Sequence, residues 1–195
     1  MIGNLSKNLS LKLYKRKFIS ENDIELISYG LFLLFSYAIY ALLCLACGII
    51  FHCVVESIIF YFSFSIIRMF TGGFHASSES KCFLISSIMI FLSMITVIIL
   101  ERYQIAIVFF IMLLISSVLI VVFSPLDNEN KKLDRQEKAK FHKTAIAILI
   151  LFIALILIFF KLNKPISFSI GISIIVEGIF IAFEKIRAVI QAKHS

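Results

Sequence analysis

The stretch Ser57–Ile67, SIIFYFSFSII, lies between Glu56 and Arg68, and its reading decides how often the chain crosses a membrane. A helical span needs about 20 predominantly apolar residues. The run from 54 to 70 approaches that length provided the two flanking charges snorkel or pair at its ends. Its apolar middle reads as buried, so it counts as a span. Working outward, comparable runs lie at 27 to 50, 83 to 100, 105 to 123, 144 to 160 and 165 to 183. The sequence therefore predicts an all-α polytopic membrane protein with about six transmembrane helices, a single domain over 1 to 195.

Composition agrees. Of the 195 residues 61% are hydrophobic, and the mean hydropathy is +1.02; soluble domains carry apolar residues at roughly half. The net charge of +7 does not point to nucleic acid, because no basic stretch interleaved with aromatics is present; it fits flanks that meet anionic lipid and cytoplasm. Residues 1 to 25 lack the continuous apolar core of a cleavable signal peptide. They place Leu5, Leu9 and Leu13 at four-residue spacing among Lys7, Lys12, Lys15, Arg16 and Lys17. That pattern predicts an interfacial amphipathic helix, either a membrane-surface anchor or a grip on a peptide partner.

Orientation follows from the cations. With the N-terminus inside, sixteen of the nineteen Lys and Arg face the cytoplasm, and only Arg102, Lys161 and Lys164 lie outside. The positive-inside rule thus predicts that both termini are cytoplasmic. The basic connection 124 to 143, SPLDNENKKLDRQEKAKFHK, falls on the same side. Pro125, Asp127 and Asn128 suit a turn, and the later half suits a charged helix. This connection is either a solvated loop or a docking surface for an acidic segment.

The same topology puts RMFTGGFHASSESKC, residues 68 to 82, at the cytoplasmic ends of spans two and three. Gly72 and Gly73 disfavour a continuing helix and predict a bent or re-entrant segment. A thiol there meets a reducing compartment, so Cys82 is expected to be free. Cys44 and Cys47 have C-x-x-C spacing but sit in an apolar run, where they read as small core residues. On one straight helix His75 and Cys82 would share a face yet stand roughly 10 Å apart along the axis. The glycine break is what could bring them together; His142 is the other available histidine.

A cysteine near a histidine is the minimal set for nucleophilic acyl transfer, since the imidazole takes the thiol proton. Lys81 and the start of a helix would both favour a thiolate at Cys82. Arg68 could hold the loop by ion pairing or orient a substrate carbonyl. On residue types alone, a packed thiol and a loop histidine remain the alternative. Glu79 adds a carboxylate, but His75, Cys82 and Glu79 do not make a closed metal site, and no cofactor is expected. Glu177, in the last span, reads as a helix-packing or pocket-wall group, and with few other intramembrane charges a transporter or channel for a peptide is the weaker reading. A lipid acyltransferase using the histidine is a further rival.

The motif Arg68, Gly72-Gly73, His75 and Cys82, with the basic amphipathic N-terminus, the Pro-led basic loop and Glu177 in GISIIVEGIF, resembles the accessory gene regulator B family of membrane endopeptidases in Gram-positive peptide quorum sensing. The resemblance implies a cysteine peptidase that removes the C-terminal part of a short amphipathic propeptide and closes a thiolactone or lactone ring on the remainder. It implies Cys82 as nucleophile and His75 as base, with Arg68 and Gly73 in support, and a homodimer in the cell membrane. Glu79 or Asp127 could orient His75; otherwise the pair acts as a dyad. Export of the product is not expected, because no nucleotide-binding motif is evident.

Overall fold

The computed structural model describes residues 2–72, 79–103, 105–126 and 134–194, and among them every regular element is helical. The helices are α1 (Ile2–Lys15), α2 (Ile24–Ile50), α3 (Val54–Thr71), α4 (Glu79–Tyr103), α5 (Ala106–Phe123), α6 (Arg135–Leu162) and α7 (Lys164–His194), with a 3-10 turn at Glu21–Asp23 before α2. Helices α2 to α7 are each long and apolar enough to cross a membrane. The six expected spans are all present, SIIFYFSFSII among them as the body of α3.

Two ends differ from the apolar boundaries. Helix α6 begins at Arg135, well before the apolar run, because Asp134 caps it: the Arg135 amide donates to Asp134 Oδ1 at 2.7 Å and the Asp134 amide to Glu137 Oε2 at 3.2 Å. A capping box fixes a helix start irrespective of where hydrophobicity begins. Helix α7 likewise runs past the apolar run to His194. Between α6 and α7 the chain turns on Asn163, whose amide donates to the Phe159 carbonyl at 2.6 Å. Pro165 then sits in the first turn of α7, where a missing N–H does no harm.

The chain divides into two compact units. The first holds α1, α2 as far as Leu43, and α4 as far as Ser87. In it α1 forms as expected, but its buried residues are Ser6 and Ser10, while Leu5 is 57% exposed. Small side chains let a helix approach its neighbour closely, and each hydroxyl is satisfied within α1, Ser6 on the Ile2 carbonyl and Ser10 on that of Lys7. The helix expected from the leucine spacing is present.

The second unit holds the remainder of α2 and α4 with α3, α5, α6 and α7. Helix α7 is its central post and packs against α3, α5 and α6. Within its membrane-length window 67% of residues are buried, against at most 33% in any other span. Lipid is as apolar as leucine, so helices associate in a bilayer through close packing and interhelical hydrogen bonds rather than by hiding from water. Helix α7 has the residues for both. Gly171 lies under the Phe109 ring and Gly178 against Ser116, so α5 approaches where a side chain would block it. Ser116 Oγ donates to the Ile175 carbonyl at 3.4 Å and Ser167 Oγ to that of Ile156 at 2.9 Å. Phe168 meets Phe109 and Phe160 edge-on, closing α5 and α6 around the start of α7.

At the α2–α3 turn, Gly48 packs on Ser57, and Cys44 Sγ donates to the Ser57 carbonyl at 3.1 Å. Both cysteines of the C-x-x-C pair are buried and free, as small core residues should be.

Gly178→Val should lower the unfolding temperature in detergent, because its Cβ would fall 2.5 Å from Ser116 Cβ and 2.7 Å from the Cα beneath it; overpacking of this kind costs about 1 to 3 kcal/mol. Gly30→Ala, at a position open on all sides, should be neutral or slightly stabilising in the same thermal scan.

Candidate functional site

Cys82 occupies the first turn of α4 and is half-buried; the other three cysteines are buried. At a helix start the first amides lack intrahelical partners and are free to meet an acceptor. At Cys53, beside the α2–α3 turn, burial pushes the thiol up, and the nearby Glu56 carboxylate adds to the effect. Cys53 therefore stays protonated and inert at neutral pH.

Within the first unit, Cys82 faces Tyr40 of α2. The Tyr40 hydroxyl lies 3.8 Å from Cys82 Sγ, and the Tyr40 ring stacks on Phe83 with centroids 6.2 Å apart and planes 19° from parallel. Tyr40 is sixteen residues into α2 from Ile24, about 24 Å of helical rise. The thiol is thus set beside the apolar body of α2 rather than at its first turn.

Arg68, in the second unit, sits in the last turn of α3. Its guanidinium pairs with Glu177 of α7, Nη1 to Oε2 at 3.5 Å, and lies over the rings of Phe64 and Phe180, 5.5 and 5.1 Å from their centroids. The Glu177 side chain is fully buried. Thr71, one turn beyond Arg68, donates its hydroxyl to Glu177 Oε1 at 2.6 Å. A carboxylate removed from water needs such partners, since an uncompensated buried charge is heavily penalised. Glu177 is therefore a packing group that ties α7 to the end of α3.

The same helix end is held from two other directions. The Leu126 amide donates to the Thr71 carbonyl at 2.9 Å, and Phe70 meets Phe141 of α6 with ring centroids 6.0 Å apart. His142 turns the other way, Nδ1 donating to the Ser124 carbonyl at 2.7 Å, so it braces the chain that follows α5. Gly72 ends α3 with φ +71°, and its Cβ position is 2.6 Å from the Leu126 carbonyl oxygen. Only glycine fits such a place without strain. The direction in which the chain leaves α3, three residues before His75, is thereby fixed.

Gly73, His75 and Asp127 lie outside the described residues, as does the side chain of Glu79, whose backbone opens α4. Of the predicted site residues, Arg68 and Cys82 are thus placed, each in its own unit. Sequence reasoning missed Thr71 and Tyr40. Neither carries a signal: one is a helix-end threonine and the other an aromatic in an apolar run. The pairing of Arg68 with Glu177 was half visible, as two charges that each needed a partner.

These features define a multi-pass membrane protein of α-helices with a half-buried thiol at the head of its third span. Residues 6–181 match the accessory gene regulator B family, and the chain belongs to it. Two Clostridium perfringens proteins named AgrB-like are similar to it. The one from strain SM101 is 28% identical over 185 residues, covering 90% of this chain and 86% of its own length. The one from strain 13 is 28% identical over 184 residues, covering 87% and 86%. No solved structure matches the chain. Family membership gives the protein a role in the agr quorum-sensing system.

Arg68→Met should destabilise the protein by about 3 kcal/mol, because it leaves the fully buried Glu177 without its cation; Glu177→Leu, which leaves a part-exposed guanidinium, should cost less. The double variant should be less destabilised than the sum of the two, read as detergent unfolding in a double-mutant cycle. Iodoacetamide at neutral pH should modify Cys82 well ahead of Cys44, Cys47 and Cys53, as peptide mass mapping would reveal.

Proposed function

We propose that the protein is a membrane cysteine endopeptidase that cuts a short autoinducer propeptide and promotes its cyclisation, with Cys82 as nucleophile and His75 as base. The observation that carries this reading is the half-buried Cys82 thiol at the start of α4, in a chain of the accessory gene regulator B family. Arg68 and Gly73 belong to the same motif and support the segment that carries His75.

The chemistry runs in two transfers. His75 takes the Cys82 proton, the thiolate attacks the scissile carbonyl, and the C–N bond breaks as the imidazolium returns its proton to the leaving amine. The N-terminal part of the propeptide stays on Cys82 as a thioester. A substrate thiol or hydroxyl then displaces Cys82 and closes a thiolactone or lactone ring. Exchange of one thioester for another is nearly isoenergetic, so ring closure needs no external energy if water is kept away and the incoming group is held close. The position of Cys82 beside the body of α2 favours the exclusion of water.

On this reading the site and both termini face the cytoplasm, the propeptide arrives along the lipid surface, and the protein acts as a homodimer. A peptide transporter would need intramembrane charges free to serve a pathway. Glu177 is instead held by Arg68 and Thr71, which favours the peptidase.

Incubation of the purified protein in lipid with the propeptide encoded beside it should give a peptide adduct on Cys82, seen by intact-protein mass spectrometry and removed by hydroxylamine. Cys82→Ala should give none. A propeptide that the living cell processes but that forms no adduct on the wild-type protein would overturn the assignment.

A further inference from the structure

We propose that Tyr40 is a catalytic residue whose hydroxyl donates a hydrogen bond to the Cys82 sulfur and stabilises it as the thiolate. This rests on the reading of Cys82 as the nucleophile and adds to it a donor from a different helix.

Three observations carry it. The first is the contact itself, Tyr40 Oη to Cys82 Sγ at 3.8 Å. A neutral thiol is a weak acceptor and holds a donor loosely, whereas a thiolate accepts a charge-assisted bond about twice as strong. Catalytic hydrogen bonds are often long before substrate binds and tighten afterwards. The second is the aim of the ring. Tyr40 stacks on Phe83, the residue that follows Cys82, so one contact fixes the plane of the phenol while its end reaches the sulfur. The third is the placement along α2. Tyr40 is sixteen residues from one end of α2 and ten from the other, roughly 24 and 15 Å of rise. The contact is therefore made by the body of the helix and not by a fraying end, with the hydroxyl turned onto the sulfur.

The role is stabilisation, and no bond to Tyr40 changes. The thiol proton passes to His75, the carbon–sulfur bond forms, the carbon–nitrogen bond breaks, and the proton leaves with the amine. Tyr40 keeps its own proton throughout. Its hydrogen bond favours the state in which negative charge rests on sulfur, both before attack and again when the thioester is displaced and Cys82 is the leaving group.

Tyr40→Phe removes one oxygen and keeps the stack on Phe83, so its detergent unfolding temperature should match the wild type. Iodoacetamide modification of Cys82, followed by peptide mass mapping at neutral pH, should be about tenfold slower in Tyr40→Phe, the scale of a hydrogen bond to a charged acceptor. That deficit should vanish in strongly alkaline buffer, where the thiol ionises unaided. The rate of the propeptide adduct should fall in parallel. A Tyr40→Phe protein that alkylates at the wild-type rate, or one with the same deficit at both pH values, would overturn the proposal, the latter by showing altered access in place of altered ionisation. Tyr40→Leu separates ring from hydroxyl: a defect confined to Tyr40→Leu also overturns it. The two readings part in the adduct assay. Normal adduct in both wild type and Tyr40→Phe removes Tyr40 and leaves Cys82 in place, whereas no adduct in the wild type removes the nucleophile and Tyr40's catalytic role with it.

Discussion

A single buried carboxylate organises the second unit. Glu177 is enclosed by protein, and its two oxygens are met by a cation and a hydroxyl from the last turn of α3. Removing an ion from water is expensive, and that expense is offset only when geometry supplies partners. The arrangement therefore selects one register between α3 and α7, since sliding either helix by a residue or two would strand the charge. Two aromatic rings against the Arg68 guanidinium, Phe64 from α3 and Phe180 from α7, reinforce the same register. Apolar packing alone would tolerate slippage in lipid, where leucine gains little by touching leucine instead of an acyl chain.

The rest of α7 follows the same logic by different means. Glycines at 171 and 178 and serines at 167, 169 and 173 give a post that neighbours can approach closely. Large apolar residues on the other helices face outward, Leu114, Val122, Ile150 and Leu157 among them. The centre of this unit mixes large apolar side chains such as Phe60, Phe109 and Phe168 with small and polar groups, and its surface is greasy. Every hydroxyl at the centre must then find an acceptor, and the serines do so on helix carbonyls.

Much of this was legible in the sequence because the bilayer imposes a length. Six runs of membrane-spanning length gave six helices, and the break after span two was marked by Gly72. What the runs could not show was where helices stop. Hydrophobicity ends near residue 144 toward the start of α6, yet Asp134 and Glu137 begin the helix nine residues earlier by capping chemistry. The leucine spacing of α1 reports amphipathicity, and the buried Ser6 and Ser10 add the close approach to protein that the spacing does not encode. At the candidate site, Arg68 and Cys82 were named from their motif. The partners of each, Glu177 for one and Tyr40 for the other, come from helices whose meeting no local pattern encodes. Thr71 and Glu177 are 106 residues apart.

The early start of α6 also bears on how this protein meets charge. Its 28 residues give about 42 Å of rise, against a hydrocarbon core of about 30 Å. The surplus matches the turns that carry Arg135, Lys138, Lys140 and Lys143. These cations are therefore mounted on a rigid stalk continuous with a membrane helix, and their spacing is set before any anion arrives. A flexible loop of the same composition would lose conformational freedom on binding; a helix already folded has lost it in advance. The basic turns of α6 thus hold their charges at a fixed pitch along the helix.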